Sequence, residues 1–360
     1  MRIAVDAMGG DHAPRVVVEG AVRAARAYGL EIILVGPEEI VRAELARHKA
    51  DGLPISIVHA SEVVSMTEHT IAVKQKKDNS MLVAARLVRE GRADAFASAG
   101  NSGAVMAAAL FALGRIRGVE RPALCTIWPA SPTPCLLLDI GANTDPKPEH
   151  LVQFAIMGAA YAERILGIPR PRVGIVSNGE EAEKGNFLVR DTYPLLQRSG
   201  LHFVGNVEGK DVTRGLADVI VTDGFTGNVI IKLSEGIVSF LIKTLKREFT
   251  QGLLRKVALV LLIPGLMLML PGLLILSPAL LRLVRRMDYR EYGGAPLLGV
   301  DGVVVIGHGR SDAKAIERMI FRAARAVEQG LVPAIQAGLV KEPQEGSEPQ
   351  GIASGEAYSR

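Results

Sequence analysis

The sequence predicts an α/β fold with a largely parallel sheet covered on both sides. Three observations predict it. Short β-rich runs recur along the chain. Most are near-continuously apolar, as strands buried on both faces are. Helical patterns with apolar residues at three-to-four spacing lie between them, and strand alternating with helix is the pattern of a parallel sheet.

In chain order the expected strands are Arg2–Asp6, Glu31–Val35, Ile55–His59, Ala93–Ser98, Cys135–Asp139, Arg172–Ser177, Ala217–Thr222 and Gly302–Gly307. The expected helices are Pro14–Tyr28, Ser80–Gly91, Ser102–Gly114, Pro148–Leu166 and Asp312–Gln329. Residues 1–340 read as one α/β catalytic domain with a helical insertion at about 240–287. The polar tail 341–360, rich in Gly, Ser, Glu and Pro, reads as disordered.

Composition narrows the function. The chain has 360 residues, 48% hydrophobic and 22% charged, which is globular. A net charge of +4 is too small to mark a nucleic-acid binder. Aromatics at 4%, with Trp128 the single tryptophan, leave few platforms for base stacking. Two cysteines, Cys125 and Cys135, exclude a disulfide framework and a multi-cysteine zinc site. They fit a reducing cytosol as small core residues, with a catalytic thiol as the alternative. The opening MRIAVDAMGGDHAP has too short an apolar stretch for a signal peptide.

Val257–Leu281 breaks the globular pattern, because it carries no charge. Its length permits a membrane span. Pro264, Pro271 and Pro278 each remove a backbone donor, and basic residues flank both ends. A helical hairpin dipping into one leaflet, with arginines snorkelling to anionic headgroups, is the preferred reading. A buried oligomer contact and a true span are the alternatives.

Ligands of open α/β sheets bind beyond the carboxyl ends of the strands. This chain places Gly, Asn, Asp and Ser clusters there six times: Asp6–Asp11, Ala99–Gly103, Asp139–Asn143, Asn178–Asn186, Glu208–Asp211 and Asp223–Asn228. Glycine admits close backbone approach, and loops that open helices offer free N–H groups. Gly100–Gly103 and Gly224–Asn228 have that form. Each cluster alone also reads as a turn or helix cap. Six together predict a shared anion cleft. His12 in the first loop is a further candidate, whereas His150 reads as structural.

Several chemistries are missing from the sequence. It holds no G-x-x-x-x-G-K-[ST], no G-x-G-x-x-G after the first strand, no H-E-x-x-H and no G-x-S-x-G. The seven histidines do not pair at metal-ligand spacing. An anion cleft without an obvious nucleophile suggests that the nucleophile arrives as substrate. Inorganic phosphate suits that role, and catalysis would rest on positioning and oxyanion stabilisation.

The motifs DAMGGD at Asp6–Asp11, AGNSGA at Ala99–Ala104, DIGAN at Asp139–Asn143, HLVQFAIMGAAY at His150–Tyr161, NGEEAEKGN at Asn178–Asn186, VTDGFTGNV at Val221–Val229 and YREYGGAPLLGVDG at Tyr289–Gly302 resemble, in order, the bacterial phosphate acyltransferases of the PlsX family. The resemblance spans about Met1–Val332. It implies transfer of a long-chain acyl group from acyl-acyl carrier protein to inorganic phosphate. The acyl phosphate then feeds a membrane glycerol-3-phosphate acyltransferase in phospholipid synthesis. It also implies a three-layer sandwich like that of isopropylmalate dehydrogenases and phosphotransacetylases, a homodimer, and a cytoplasmic protein held peripherally at the membrane. No cofactor, metal or nucleic acid is implied.

Ser102 stands where the family often has Thr, and Thr67-Glu68-His69 where it often has Asp-Glu-Pro. The basic run Lys74–Lys77 and Asp78-Asn79-Ser80 stay close to pattern. Val257–Leu281 is more apolar than the family's amphipathic tip helices, which suggests tighter membrane attachment.

On this reading phosphate sits against Gly100, Asn101, Ser102 and Gly103, aided by Asn228. Lys184 neutralises charge on phosphate or on the developing oxyanion. Asp139, Asn143 and Asp223 orient these groups. Asp6, Gly9, Gly10, Asp11, Asn178, Gly224 and Gly227 complete the phosphate and acyl site. Lys243, Lys246, Arg247, Arg255, Arg282, Arg285 and Arg286 could meet an acidic carrier protein or anionic lipid, or form a solvated helix face. A short-chain phosphotransacetylase using coenzyme A is the main alternative. A metal-dependent decarboxylating dehydrogenase lacks its acidic ligands and nucleotide site here, and a non-catalytic membrane scaffold leaves the strand-end clusters unexplained.

Overall fold

The protein is described by a computed structural model, which places residues 1–272, 274–278 and 293–340. The expectations for the tail 341–360, for Arg282, Arg285 and Arg286, for the Arg255 side chain and for the end of the apolar run lie outside the described residues. So does the start of the Tyr289–Gly302 motif.

Among the described residues eleven strands form one sheet: β1 Arg2–Asp6, β2 Glu31–Gly36, β3 Ile55–His59, β4 Ala95–Ser98, β5 Ala123–Trp128, β6 Cys135–Leu138, β7 Arg172–Ser177, β8 His202–Glu208, β9 Val219–Val221, β10 Ala295–Leu298 and β11 Val303–Ile306. Their order is β3-β2-β1-β4-β11-β10-β5-β6-β9-β7-β8. The first five in that order are mutually parallel. The last four are also mutually parallel. Between them, β10 is antiparallel to both β11 and β5, and β5 is antiparallel to β6. Three reversals therefore separate the two parallel blocks, which run in opposite directions.

The helices are α1 Arg15–Tyr28, α2 Glu38–Leu45, α3 Ala72–Gln75, α4 Ser80–Arg89, α5 Ser102–Ala112, α6 Pro148–Arg164, α7 Phe187–Gln197, α8 Gly224–Thr250, α9 Leu253–Leu268, α10 Ala313–Glu328 and α11 Leu331–Val340. They make the outer layers. Successive strand residues point to opposite faces, and here both faces are apolar. Ile3 and Val5 pack with α1, α6 and α10 on one side. Ala4, Phe96 and Val304 pack with α4 and α5 on the other. Leu137 and Ile220 receive Ile230 and Ile231 of α8. α1 and α10 approach closely because Gly20 faces Ile316, where an added Cβ would lie 2.6 Å from that side chain.

The expected strands are present, four of them trimmed to Ala95–Ser98, Cys135–Leu138, Val219–Val221 and Val303–Ile306. β5 and β10 were not expected as strands, and β8 was expected only as the short run Phe203–Asn206 ahead of the Glu208–Asp211 cluster. Pro296 sits inside β10, and proline argues against a central strand. Exposed His202 and Val204, Gly205 and a register shift break the apolar run of β8. The helices α2, α7 and α11 were also not anticipated. Both cysteines are buried. Burial pushes their thiols up, Cys135 to about 12, so neither is a thiolate at neutral pH.

The apolar segment differs from expectation in its start. The projecting helical pair begins with α8, and only Gln251 and Gly252 separate α8 from α9. Pro264 lies inside α9 rather than ending it.

Candidate functional site

The first strand-end group lies at the carboxyl ends of β1, β4 and β11. Asp6 is fully buried; it accepts from Ser98 Oγ at 2.6 Å and from Met8 N at 3.1 Å. Burial pushes its carboxyl above the ordinary range, while bonds from Ser98 and Met8 act against that. Gly9 lies directly over it. A Cβ there would fall 2.5 Å from Asp6 Oδ2 and 2.7 Å from Gly100 N, so only glycine lets the two loops touch. Gly10 takes φ +110°, and Asp11 N donates to Gly309 O at 2.8 Å. Asn101 caps α5 by accepting from Ala104 N at 3.1 Å, and its Nδ2 donates to Met66 O at 3.0 Å. The first-turn N–H groups of Ser102 and Gly103 have no intrahelical acceptor, and α5 contains no charged residue. An anion at this helix start meets free donors and the positive end of the dipole.

The second group lies at the carboxyl ends of β6 and β9. Asp139 is buried, and its two oxygens accept five hydrogen bonds. Oδ1 receives Leu124 N, Gly141 N and Ala142 N at 3.1, 3.1 and 2.9 Å. Oδ2 receives Asn143 N at 2.6 Å and Asn143 Nδ2 at 2.8 Å. Burial raises this carboxyl, and the bonds from Ala142, Asn143, Leu124 and Gly141 oppose the rise. Asp139 is spent on its own loop and orders it. Asn143 Nδ2 also donates to Pro122 O at 2.7 Å. Asp223 caps α8, accepting from Thr226 N at 2.8 Å and Thr226 Oγ1 at 2.7 Å. Gly224 N donates to Asn143 O at 2.7 Å. Gly227 presses so closely on Asp139 that a Cβ would fall 1.9 Å from its carbonyl oxygen. Asn228 is exposed beside Gly141.

The third group follows β7 and β8. Asn178 Oδ1 accepts from Gly185 N at 2.9 Å, and Lys184 N donates to Glu181 O at 3.0 Å. These bonds turn the loop so that Lys184 is exposed. Asn186 then caps α7 through Val189 N at 3.0 Å.

The structure brings Asp6, Gly9, Gly10, Asp11 and Gly100–Gly103 together, and separately Asp139, Asn143, Asp223, Gly224, Gly227 and Asn228. It does not join the two sets within one chain. β1, β4 and β11 run opposite to β6, β9 and β7, so their carboxyl ends lie on opposite edges of the sheet. Four strand spacings separate β4 from β6, which is about 19 Å sideways as well. The single shared cleft expected from six strand-end clusters is therefore replaced by loops on two opposite edges of the sheet, divided by the reversals at β10, β5 and β6. Lys184 is two strands further away, at the end of β7.

Ser98, Met66, Gly309 and Thr70, whose Oγ1 would lie 2.9 Å from a Cβ on Gly103, belong to the first group and were missed. The Gly307-His308-Gly309 turn after β11 is itself a strand-end glycine cluster, which is the signal that could have found it. His150 is buried in the first turn of α6, where its Nδ1 accepts from Lys147 N at 3.0 Å and its Nε2 meets Glu120 Oε2 at 3.0 Å. His12 is exposed.

With this geometry in place, the chain can be compared with known proteins. Residues 1–333 match the family model described as fatty acid synthesis protein. The phosphate acyltransferase of Pelotomaculum thermopropionicum is 50% identical over 340 residues, covering 94% of this chain and 95% of the relative. That of Herpetosiphon aurantiacus is 51% identical over 359 residues, covering 94% and 98%. Among solved structures, a phosphotransacetylase from Streptococcus pyogenes superposes with a TM-score of 0.59 at 17% identity, covering 91% of this chain and 94% of that one. The EutD phosphotransacetylase from Staphylococcus aureus gives 0.57 at 14%, covering 91% and 94%. Those two likenesses carry the fold alone. The match over residues 1–333 and the identity of half the positions across nearly the whole length place this chain in the fatty acid synthesis protein family, whose curated relatives are phosphate acyltransferases.

Proposed function

We propose that this chain transfers a long-chain acyl group from acyl-acyl carrier protein to inorganic phosphate, releasing acyl phosphate and free carrier. One observation carries the reading: it shares half its residues, over 94% of its length, with proteins named phosphate acyltransferase. The chain is an acyltransferase of that kind. A phosphate oxygen attacks the thioester carbonyl, the tetrahedral oxyanion collapses, the C–S bond breaks and the thiolate leaves to take up a proton. Phosphate is its own nucleophile, so the protein's share is positioning and charge stabilisation, where one well-placed donor contributes about 2.7–4 kcal/mol.

The start of α5 is the phosphate seat in this proposal, formed by Gly100–Gly103 with Gly9 and Gly10 pressed against it. Asp6 fixes that floor. Asn228 and Lys184 lie on the other edge, so in a homodimer the partner protomer would supply them to the same phosphate. Asp139, Asn143, Asp223, Gly224 and Gly227 set the position of Asn228. The acyl product leaves toward a membrane glycerol-3-phosphate acyltransferase.

Peripheral attachment to the cytoplasmic face of the membrane is supported by the projecting helices. Gly224–Phe249 is long and apolar enough to cross a membrane, and 6% of its apolar 18-residue window is buried. Its first turns are tied to the sheet through Asp223, Gly227, Ile230 and Ile231, which favours a docked helix over a span. Leu268 and Ile275 are 86% and 80% exposed. Deleting residues 253–287 should abolish co-sedimentation with anionic liposomes, and unchanged binding would remove the tip from the attachment.

The function is tested by mixing purified protein with palmitoyl-acyl carrier protein and phosphate, and trapping acyl phosphate as the hydroxamate. Phosphate-dependent hydroxamate, with much less from palmitoyl-coenzyme A, is expected. Product from coenzyme A esters alone would instead assign a phosphotransacetylase.

A further inference from the structure

We propose that the carboxyl ends of β7 and β8 hold a hard divalent cation, bound by Glu180, Glu208 and Asp211 with Asn206 and Ser177 beside them. The three acidic side chains bring one oxygen each within 4.8 Å of one another. Exposed acidic groups often gather without an ion, so proximity alone decides nothing. The deciding feature is burial without partners.

Asp211 is 2% exposed, and Asn206 and Ser177 are each 9% exposed. Asp211 Oδ2, Asn206 Oδ1 and Ser177 Oγ are buried and have no hydrogen-bond partner among the described residues. Ser177 and Glu208 are register partners on adjacent parallel strands, and Asn206 lies two residues before Glu208. All three therefore stand on one face of the sheet. Asn206 Nδ2 donates to Glu181 O at 2.6 Å, which sets the amide against the segment that carries Glu180. Native proteins leave few buried polar atoms unpaired, and each one costs free energy that a partner would recover.

The chemistry of the orphaned atoms selects the partner. Carboxylate and amide oxygens accept only, and a hydroxyl can accept. An anion would be repelled here. An all-oxygen set suits Mg²⁺, Mn²⁺ or Ca²⁺ and lacks the thiolate or imidazole that zinc favours.

Two cations already face the cluster. Arg214 Nη1 holds Asp211 Oδ1 at 2.8 Å. Lys210 Nζ contacts Glu208 and lies 3.7 Å from Glu180 Oε1. Neither gives Asp211 Oδ2 a hydrogen bond. Lys210 is 55% exposed on a flexible stem, so its ammonium is a tethered counter-charge that a metal ion can displace. The bound ion would also fix the Asn178–Asn186 loop through Glu180.

The test uses metal-stripped full-length protein titrated with Mn²⁺, free Mn²⁺ being read by electron paramagnetic resonance. One Mn²⁺ per chain is expected, displaced by Mg²⁺ or Ca²⁺. Glu180→Gln, at an exposed position where folding is not at stake, and Asp211→Asn should each weaken binding by about tenfold or more. Lys210→Met should tighten it severalfold. No stoichiometric binding at millimolar Mn²⁺, or the same affinity in Glu180→Gln and Lys210→Met as in the parent, overturns the site. Because the readout is ion binding, the result is independent of the acyl-transfer reading.

Discussion

Asp139→Asn should unfold the Ile140–Asn143 loop from its anchor without changing side-chain size. The carboxylate accepts three N–H groups on Oδ1 and two on Oδ2. An asparagine that keeps its carbonyl at the Oδ1 position preserves the first three. Its NH₂ then faces Asn143 N and Asn143 Nδ2, two donors that it cannot accept. Hydrogen bonds to a charged group contribute about 1.5–3 kcal/mol each, so the loss is about 3–6 kcal/mol if the loop holds still. Asn143 Nδ2 retains its bond to Pro122 O, which limits how far it can turn away. Rotation of the Asn143 side chain relieves one of the two conflicts, so about 1.5–3 kcal/mol is the lower expectation. Such a loss is a large share of a typical folding stability of about 5–15 kcal/mol. Urea unfolding at pH 7, followed by far-UV circular dichroism, reads it directly. A loss under about 1 kcal/mol would refute the reasoning, because it would mean that the Asp139 bonds do not hold the loop. Asn143→Ala should produce part of the same loss, and the double variant should cost less than the sum.

Three further outcomes follow from the geometry. Gly9→Ala should push the Asp6–Asp11 loop off Gly100, raising the phosphate KM by about tenfold or more while the acyl-carrier KM moves little, since a displacement near 1 Å is enough to disrupt a positioned site; equal phosphate KM values would detach this loop from the phosphate seat. Lys184→Ala should lose most hydroxamate formation with stability changed by about 0.5 kcal/mol or less, as expected of an exposed side chain; near-parental turnover would remove Lys184 from the mechanism. The side-chain and backbone hydrogen bonds from Arg172 hold Asp218 below the usual carboxylate range despite its burial, so this pair stabilises the fold above the unfolded pKa and loses that share as pH falls through the folded one; Asp218→Asn should flatten the stability–pH curve below about pH 4, and an unchanged acid limb would show that the pair does not contribute.

The strands were legible where the chain is buried on both faces. RIAVD and RVGIVS matched their strand boundaries because helices on both sides of the sheet bury nearly every position, whereas ISIVH, at the sheet edge and without a buried residue, matched on its β-branched residues alone. β10 was not legible: Pro296 speaks against a strand, and only its two antiparallel neighbours, both distant in sequence, give it a place. The strand-end loops were legible as glycine and Asx clusters. Their grouping was not. Strand direction depends on how many reversals separate two blocks, and β5 and β10, the two strands that supply those reversals, were absent from the sequence reading.

Strand direction has a physical consequence for the site. A cluster at a strand end signals a ligand edge, but two clusters share an edge only if their strands run the same way. Asp223 and Asn228 start α8, whose 27 residues extend about 40 Å from the second edge. That helix is locked at its start by the Asp223 cap and by Gly227 against Asp139, so its direction is set by the same loop that Asp139 orders. A change at Asp139 should therefore alter the aim of the apolar helices as well as the position of Asn228. Liposome co-sedimentation and acyl-phosphate formation should fall together in Asp139→Asn, whereas Gly9→Ala, on the opposite edge, should lose activity and keep membrane binding. If both variants retained full liposome binding, the loop and the apolar helices would be mechanically independent, and α8 would be a passive extension of the second edge.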